Sequence, residues 1–223
     1  MEVIARIRTR FPGKFGVPRQ SGMTDDEAIV VFEEKYRVPE ALSGIGEYSH
    51  LWLIWEFSQN RRETFSPTVR PPRLGGNKRV GVFATRSSFR PNSIGLSSVR
   101  LLRVEKSKKL GTYLVVSGAD MVDNTPIFDI KPYLAYTDSH PDAKCSYAGE
   151  LSSYRVPVEF EEDALKVIGD EKEAVTRVLS ADPRPSYQND ERSYSFEYAS
   201  FRLTFRCEGG KITVTGAEKL KEE

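Results

Sequence analysis

Residues 98–130 read SVRLLRVEKSKKLGTYLVVSGADMVDNTPIFDI, and this stretch decides the fold class. Ser98–Val104, Thr112–Ser117 and Pro126–Ile130 are short apolar runs, and Asp123-Asn124 forms a turn pair before the last of them. Runs of this length bounded by turn residues read as β-strands. The pattern continues upstream. Glu2–Arg8 alternates Val3, Ala5 and Ile7 against Glu2 and Arg6, with Ile4 out of phase, and Ile29–Phe32, His50–Phe57 and Val80–Thr85 are further runs. Gly44-Ile45-Gly46 and Gly75-Gly76-Asn77 punctuate them. Many short strands without a long helical period predict a mainly β barrel or sandwich for the first 135 residues.

A different unit follows. His140–Ser153 is polar and turn-rich and reads as a linker, which places a β domain at 1–140 and a small α+β domain at 150–223. Val156–Phe160 reads as a strand. Glu161–Ser180 carries Ala164, Ile168, Val175, Val178 and Leu179 near one helical face, with acids in the first turn where the helix dipole favours them. Gly169 interrupts that helix, and Asp182-Pro183-Arg184-Pro185 ends it. Ser193–Phe205 and Ile212–Val214 are expected to form a closing hairpin around Gly209-Gly210.

Composition sets the outer bounds. The 223 residues include 33 Lys+Arg and 32 Asp+Glu, with 39% hydrophobic residues and 11% aromatic ones, which excludes wholesale disorder. No run approaches the ~20 apolar residues of a membrane-spanning helix. Met1 is followed by Glu2 and an alternating segment, so no secretory signal is expected and the chain is placed in the cytoplasm. Cys145 and Cys207 are expected to be reduced, and no Cys/His spacing matches a zinc site, so no metal is expected. The near-balance of charge conceals a gradient. Arg61 to Arg103 holds ten Lys/Arg and one acid, whereas Glu150 to Glu223 holds 16 acids and 11 bases. A surplus of that size suits a phosphate-bearing ligand, and equally a solvated basic face.

Common nucleotide signatures are missing. Gly44-Ile45-Gly46 is followed by Ser49 where the dinucleotide fingerprint needs its third glycine, and there is neither a Walker A sequence nor a G-x-S-x-G elbow. Two other segments hold polar groups in shaped backbone. In RPPRLGGNKRVGVFATRSSFRPNSIG (Arg70–Gly95) a strand runs into a loop with Arg86, Arg90, Pro91 and Asn92. Guanidinium groups recognise carboxylate or phosphate through a planar fork, and Pro and Gly fix the backbone that aims them. In GADMVDNTPIFDIKPY (Gly118–Tyr133) Asp120, Asp123, Asp129 and Lys131 surround a turn at Asn124, where Asn tolerates positive φ. A sheet with basic turns and an ion-paired turn would account for the same residues.

These segments carry a resemblance. GVFATRSSFRPNSIG, PTVRPPRLGG, VPRQ (Val17–Gln20), the D-x-x-D-x-TP-x-x-DIKPY pattern from Asp120, and DPRPSY (Asp182–Tyr187) resemble the TrmO-type tRNA N6-methyltransferases from Ile4 to Tyr187. The resemblance implies a non-Rossmann β-barrel that binds S-adenosyl-L-methionine, a smaller C-terminal domain and a homodimer. It implies methyl transfer to N6 of threonylcarbamoyladenosine at position 37 of tRNA. Pro18, Arg19, Gln20, Ser58, Gln59, Arg86, Leu96 and Gly118, Ala119, Asp120, Met121 then fall at the cofactor. Many members carry His at the position of Ser58, and Asn124 stands where glycine is usual. Asp129 and Lys131 become the polar centre facing substrate, with Asp129 as proton acceptor and Lys131 on a substrate carboxylate or phosphate. Arg90, Asn92, Arg184 and Tyr187 become substrate contacts. Two alternatives stay open: a non-catalytic RNA-binding barrel, and a methyltransferase acting on another acceptor.

Overall fold

The computed structural model describes residues 1–60, 64–71, 74, 78–150, 153–184 and 192–221. Strand β1 (Ala5–Arg8) pairs antiparallel with β2 (Glu27–Phe32). The chain continues through β3 (His50–Glu56), a short ribbon of β4 (Thr68–Val69) with β5 (Val80–Gly81), and then β6 (Ile94–Ser107), β7 (Gly111–Ser117) and β8 (Thr125–Pro132). Six of these form a closed barrel in the order β1-β2-β7-β6-β3-β8, and β8 returns to β1 through Ala5↔Ile127. The period-2 alternation explains the closure. On β3, Leu51, Leu53 and Trp55 point inward while Trp52, Ile54 and Glu56 point outward. Ala5, Ile7, Val30, Leu114 and Ile127 complete an interior filled by side chains, as a barrel this small requires.

The C-terminal part forms around a second core. Helices α1 (Ala135–Asp138) and α2 (Ser146–Glu150) are short, and α2 lies inside the stretch read as a linker. Strand β9 (Val158–Phe160) leads into α3 (Glu162–Ile168) and α4 (Lys172–Ser180). The single helix expected over Glu161–Ser180 is therefore two, because Gly169 takes φ +57° between them. Strands β10 (Tyr194–Tyr198), β11 (Phe201–Glu208) and β12 (Lys211–Lys219) follow, and the sheet order is β10-β11-β12-β9. The run expected as one strand over Ser193–Phe205 bends at Ala199, whose φ is +52°. The hairpin at Gly209-Gly210 joins β11 to β12 as expected.

The two cores are stitched together. Phe11, Phe15 and Val17, in the loop after β1, pack into the second core beside Tyr198 and Phe196. The Tyr198 hydroxyl donates to Asp26 Oδ1 at 2.5 Å. Burial and that hydrogen bond raise the Tyr198 phenol pKa. Arg10 bridges Asp26 and Glu171, and Arg177 meets Asp25 at 2.6 Å.

Two further expectations need correction. Val80–Thr85 is not one strand. Only Val80–Gly81 pairs, and Val82–Ala84 turns as a 3-10 helix, with Arg90 donating to the Val82 carbonyl and to that of the capping Thr85. Strand β6 instead starts at Ile94, four residues before the expected Ser98, because Ile94, Gly95 and Leu96 pair with Glu56, Trp55 and Ile54. Gly95 is needed there for space, since a Cβ would lie 2.2 Å from the Trp55 ring. Gly95→Ala is expected to lose about 1–3 kcal/mol through overpacking, read as a lower midpoint in urea unfolding.

Candidate functional site

Three segments far apart in sequence meet at one edge of the barrel. The VPRQ segment is the clasp between the other two. Arg19 Nη2 donates to the backbone carbonyls of Asp182 at 2.7 Å and Arg184 at 2.9 Å. Gln20 Oε1 accepts from Arg86 Nη1 at 2.5 Å, which ties it to the loop after the ribbon. Arg86 is itself exposed. Below them Gly22 N–H donates to the Gly118 carbonyl at 2.9 Å. Gly118 takes φ +82°, and a Cβ on it would come within 3.1 Å of the Gly22 backbone. Glycine at 118 therefore lets residues 20–24 lie directly on the 118–121 turn. Pro18 and Arg19 also border a small depression with Pro183 and Val178.

A cavity of about 140 Å³ opens beside this clasp, lined among others by Lys14, Val17, Trp55, Glu56, Phe57, Ser58, Gln59, Asp120 and Met121. Four of the sequence-predicted cofactor residues, Ser58, Gln59, Asp120 and Met121, thus share one space. Two of its lining residues, Trp55 and Asp120, are joined by a polar relay through buried Ser97. Trp55 Nε1–H donates to Ser97 Oγ at 2.9 Å, and Ser97 Oγ–H donates to Asp120 Oδ1 at 2.5 Å. Burial lifts the Asp120 carboxyl above the ordinary carboxylate range, against the lowering influence of Ser97, backbone N–H groups and the Arg86 charge. At the rim Lys14 Nζ donates to the Gln59 carbonyl at 2.6 Å and to Asn60 Oδ1, which fixes the Ser58–Asn60 turn. Lys14, Trp55 and Ser97 were not singled out from sequence. Lys14 lies three residues before VPRQ, and that proximity was its only signal.

A raised carboxyl pKa has a definite sign in stability. The folded chain keeps a proton on Asp120 that the unfolded chain has released, so stability falls as pH rises from the ordinary value of 3.8 through the raised folded value. Asp120→Asn retains the acceptor for Ser97 and removes the buried charge. Its unfolding midpoint is expected to lose that component of the pH dependence and to stand at or above the parent's at neutral pH.

The remaining predicted residues fall into two groups. Leu96, Ile54 and Asp129 are register neighbours on the outer face of the barrel, through Ile54↔Leu96 and Ile54↔Asp129. Lys131 follows beside Trp52, and its Nζ lies 3.0 Å from Asp129 Oδ2. Asp129 and Lys131 do not line the cavity. They share its side of the barrel, because Glu56, two residues from Ile54 on the same outward row, forms part of the cavity wall. Ala119 is buried in the barrel core. Asn92 is exposed at the loop tip, whereas Arg90 spends Nη1 on the Thr85 carbonyl at 2.6 Å and the Val82 carbonyl at 3.3 Å. Arg184 requires a correction. It was expected at a tRNA surface, yet it is 7% exposed, and its guanidinium forks onto buried Asp182 at 2.9 and 3.3 Å. Tyr187 lies outside the described residues. Cys145 and Cys207 are free thiols. Among the described residues no cluster of three or more potential metal ligands forms, and no helix is long and apolar enough to cross a membrane.

A closed antiparallel barrel with its cavity beside a glycine-dependent turn defines a mainly β protein of non-Rossmann type. Comparison with known proteins narrows this class. Residues 6–139 match the family model for the tRNA-methyltransferase O N-terminal domain, and residues 153–220 match that for the TrmO C-terminal domain. The chain belongs to the TrmO family. It is 39% identical over 228 residues to the tRNA (adenine(37)-N6)-methyltransferase of Escherichia coli K12, covering 97% of each chain. It is 38% identical over 201 residues to a Pseudomonas aeruginosa protein described as a putative S-adenosylmethionine-dependent methyltransferase, covering 84% of this chain and 83% of that one. The crystal structure of TrmO from Pseudomonas aeruginosa superposes with a TM-score of 0.78 at 29% identity, covering 98% and 97% of the two chains.

Proposed function

We propose that this chain is a tRNA (adenine(37)-N6)-methyltransferase that uses S-adenosyl-L-methionine and takes N6-threonylcarbamoyladenosine as its acceptor. The observation that carries the reading is the convergence of Pro18–Gln20, the Arg86 loop and the Asp182–Arg184 segment beside the Asp120 cavity, in a chain of this family.

The lining suits the cofactor chemically. Trp55, Phe57 and Met121 offer apolar surface, Lys14 offers a cation for a carboxylate, joined by Arg86 on the clasp outside the cavity, and Asp120 offers an acceptor beside a cationic or hydroxyl group. About 140 Å³ is less than the ~300–1,000 Å³ of a complete ligand pocket. The rest of the site then extends over Gln20, Arg86 and Leu96, and Leu96 at 57% exposed is apolar surface available to a ligand or to a second protomer. The homodimer that the family resemblance implies is proposed here as well. When bound, S-adenosylmethionine supplies a methyl group on a sulfonium centre, open to attack by nitrogen.

What the protein adds is alignment and charge. Holding two reactants in attack geometry is worth roughly 7–11 kcal/mol of barrier. Asp129 and Lys131 present a carboxylate and an ammonium 3.0 Å apart. Threonylcarbamoyladenosine offers the matching pair, an N6–H and a carboxylate. In this assignment Asp129 Oδ takes the N6 proton as the new N–CH3 bond forms, and Lys131 Nζ holds the threonyl carboxylate. Proton acceptance of this kind contributes about 10²–10⁴-fold. Ser58, Gln59 and the 118–121 turn bound the cofactor, and Asn92 and Arg90 sit on the loop facing substrate. Residues 1–140 form the catalytic unit and 150–223 an appended unit, acting on tRNA in the cytoplasm. The experiment is methyl transfer from labelled S-adenosylmethionine to tRNA, followed by nucleoside analysis at position 37.

A further inference from the structure

The β4–β5 ribbon carries a feature that the cavity does not use. Phe65 and Phe83 are 59% and 73% exposed, and their rings stack with centroids 6.4 Å apart and planes 25° apart. Ribbon pairing holds them together: Thr68↔Gly81 and Val69↔Val80 pair, and the Val82 N–H donates to the Pro67 carbonyl at 2.9 Å. Two large apolar rings left in water keep an unfavourable hydration that burial would relieve and that this chain does not relieve, which marks a contact surface.

Its surroundings identify the kind of partner. Residues 64–71 and 78–92 contain Arg70, Lys78, Arg79, Arg86 and Arg90, and no Asp or Glu. The Arg90 guanidinium lies 6.0 Å from the Phe83 ring centroid, so ring and cation are presented together. Aromatic faces beside guanidinium groups bind unpaired bases by stacking while the cations hold the phosphates. The ribbon is also coupled to the cavity, since Asn60 Nδ2, on the cavity wall, donates to Ser88 Oγ in the adjoining loop at 2.8 Å.

We propose that Phe65 and Phe83 form a stacking platform for an unpaired base of the tRNA anticodon loop, next to the base being methylated. This deepens the function proposed above and rests on it for the identity of the RNA. Stacking is local to the π-face, so removing the rings lowers affinity without changing the number of phosphates contacted.

The test measures binding of an anticodon stem–loop RNA carrying 2-aminopurine in its loop, by anisotropy and by fluorescence quenching. Phe65→Ala with Phe83→Ala should weaken binding by roughly 5- to 150-fold per stacked base and relieve the quenching. Phe83→Trp should retain both. Phe83→Leu should lose them although it keeps apolar bulk, and the salt dependence should keep its slope. Unchanged affinity in the double alanine variant overturns the platform, and so does a leucine variant that binds like the parent. Loss of self-association in sedimentation with RNA affinity intact would assign the rings to a second copy of the chain and also overturn it. A parent that binds the stem–loop but transfers no methyl group sinks the enzymatic reading and leaves the platform standing. A parent that methylates while its alanine variant binds equally well does the reverse.

Discussion

Replacing Arg184 with alanine is expected to lower unfolding free energy by about 3–5 kcal/mol, because it removes the guanidinium that meets both oxygens of a buried carboxylate. Asp182 is 2% exposed, and Arg184 meets both of its oxygens. Asp182 also holds φ +48°, a left-handed conformation that the surrounding contacts must maintain. A loss of that size is a large part of the ~5–15 kcal/mol that stabilises an ordinary domain. Arg184→Lys keeps a charge but not the planar fork, and should fall between parent and alanine. Urea unfolding read by tyrosine and tryptophan fluorescence measures the effect. The Arg184→Ala variant should also loosen the clasp, because Arg19 donates to the carbonyls on either side of Pro183. If Arg184 served chiefly as a tRNA contact, as the resemblance implied, alanine would weaken tRNA binding and leave stability unchanged.

Removing the Arg86 guanidinium is expected to weaken S-adenosylmethionine binding by roughly 10- to 100-fold, the worth of one charge-assisted hydrogen bond at about 1.5–3 kcal/mol. Arg86 is exposed and is joined to the 17–20 segment through Gln20 Oε1, so its loss touches the site and not the core. Thermal stability of Arg86→Ala should therefore match the parent while calorimetry shows the weaker site. Arg86→Lys should recover little, since a single ammonium cannot address Gln20 and a carboxylate in one plane. An unchanged dissociation constant in the alanine variant would remove Arg86 from the site.

Much of this architecture was legible before any coordinates. The apolar run His50–Phe57 predicts β3 almost to the residue, and the structure turns Leu51, Leu53 and Trp55 of that run inward. Asn124 takes φ +63°, as the turn reading required. The ribbon was misread because Val80–Thr85 is as apolar as a strand, yet only two of its residues find a partner and Arg90 caps the rest as a 3-10 turn. Arg184 was also misplaced. Its place at the substrate was expected only from the family resemblance, and packing against Tyr194 and Asp182 makes it a buried strut. The gathering of Ser58, Gln59, Asp120 and Met121 was expected only from the family resemblance. Its physical basis, a relay from Trp55 through Ser97 to Asp120, spans three strand or turn segments that no local pattern links.

The role proposed for the Asp129–Lys131 pair and the Asp120 cavity is methyl transfer to a threonylcarbamoylated adenosine. The most direct measurement compares methyl transfer to one tRNA transcript prepared with and without the threonylcarbamoyl group at position 37. The modified base brings a carboxylate for Lys131, worth about 1.5–3 kcal/mol and hence one to two decades in kcat/KM. Transfer to the modified tRNA should be at least tenfold faster, with the label recovered on N6 of that nucleoside, and a Lys131→Ala variant should no longer distinguish the two. Equal rates on both transcripts with the parent protein would contradict that role.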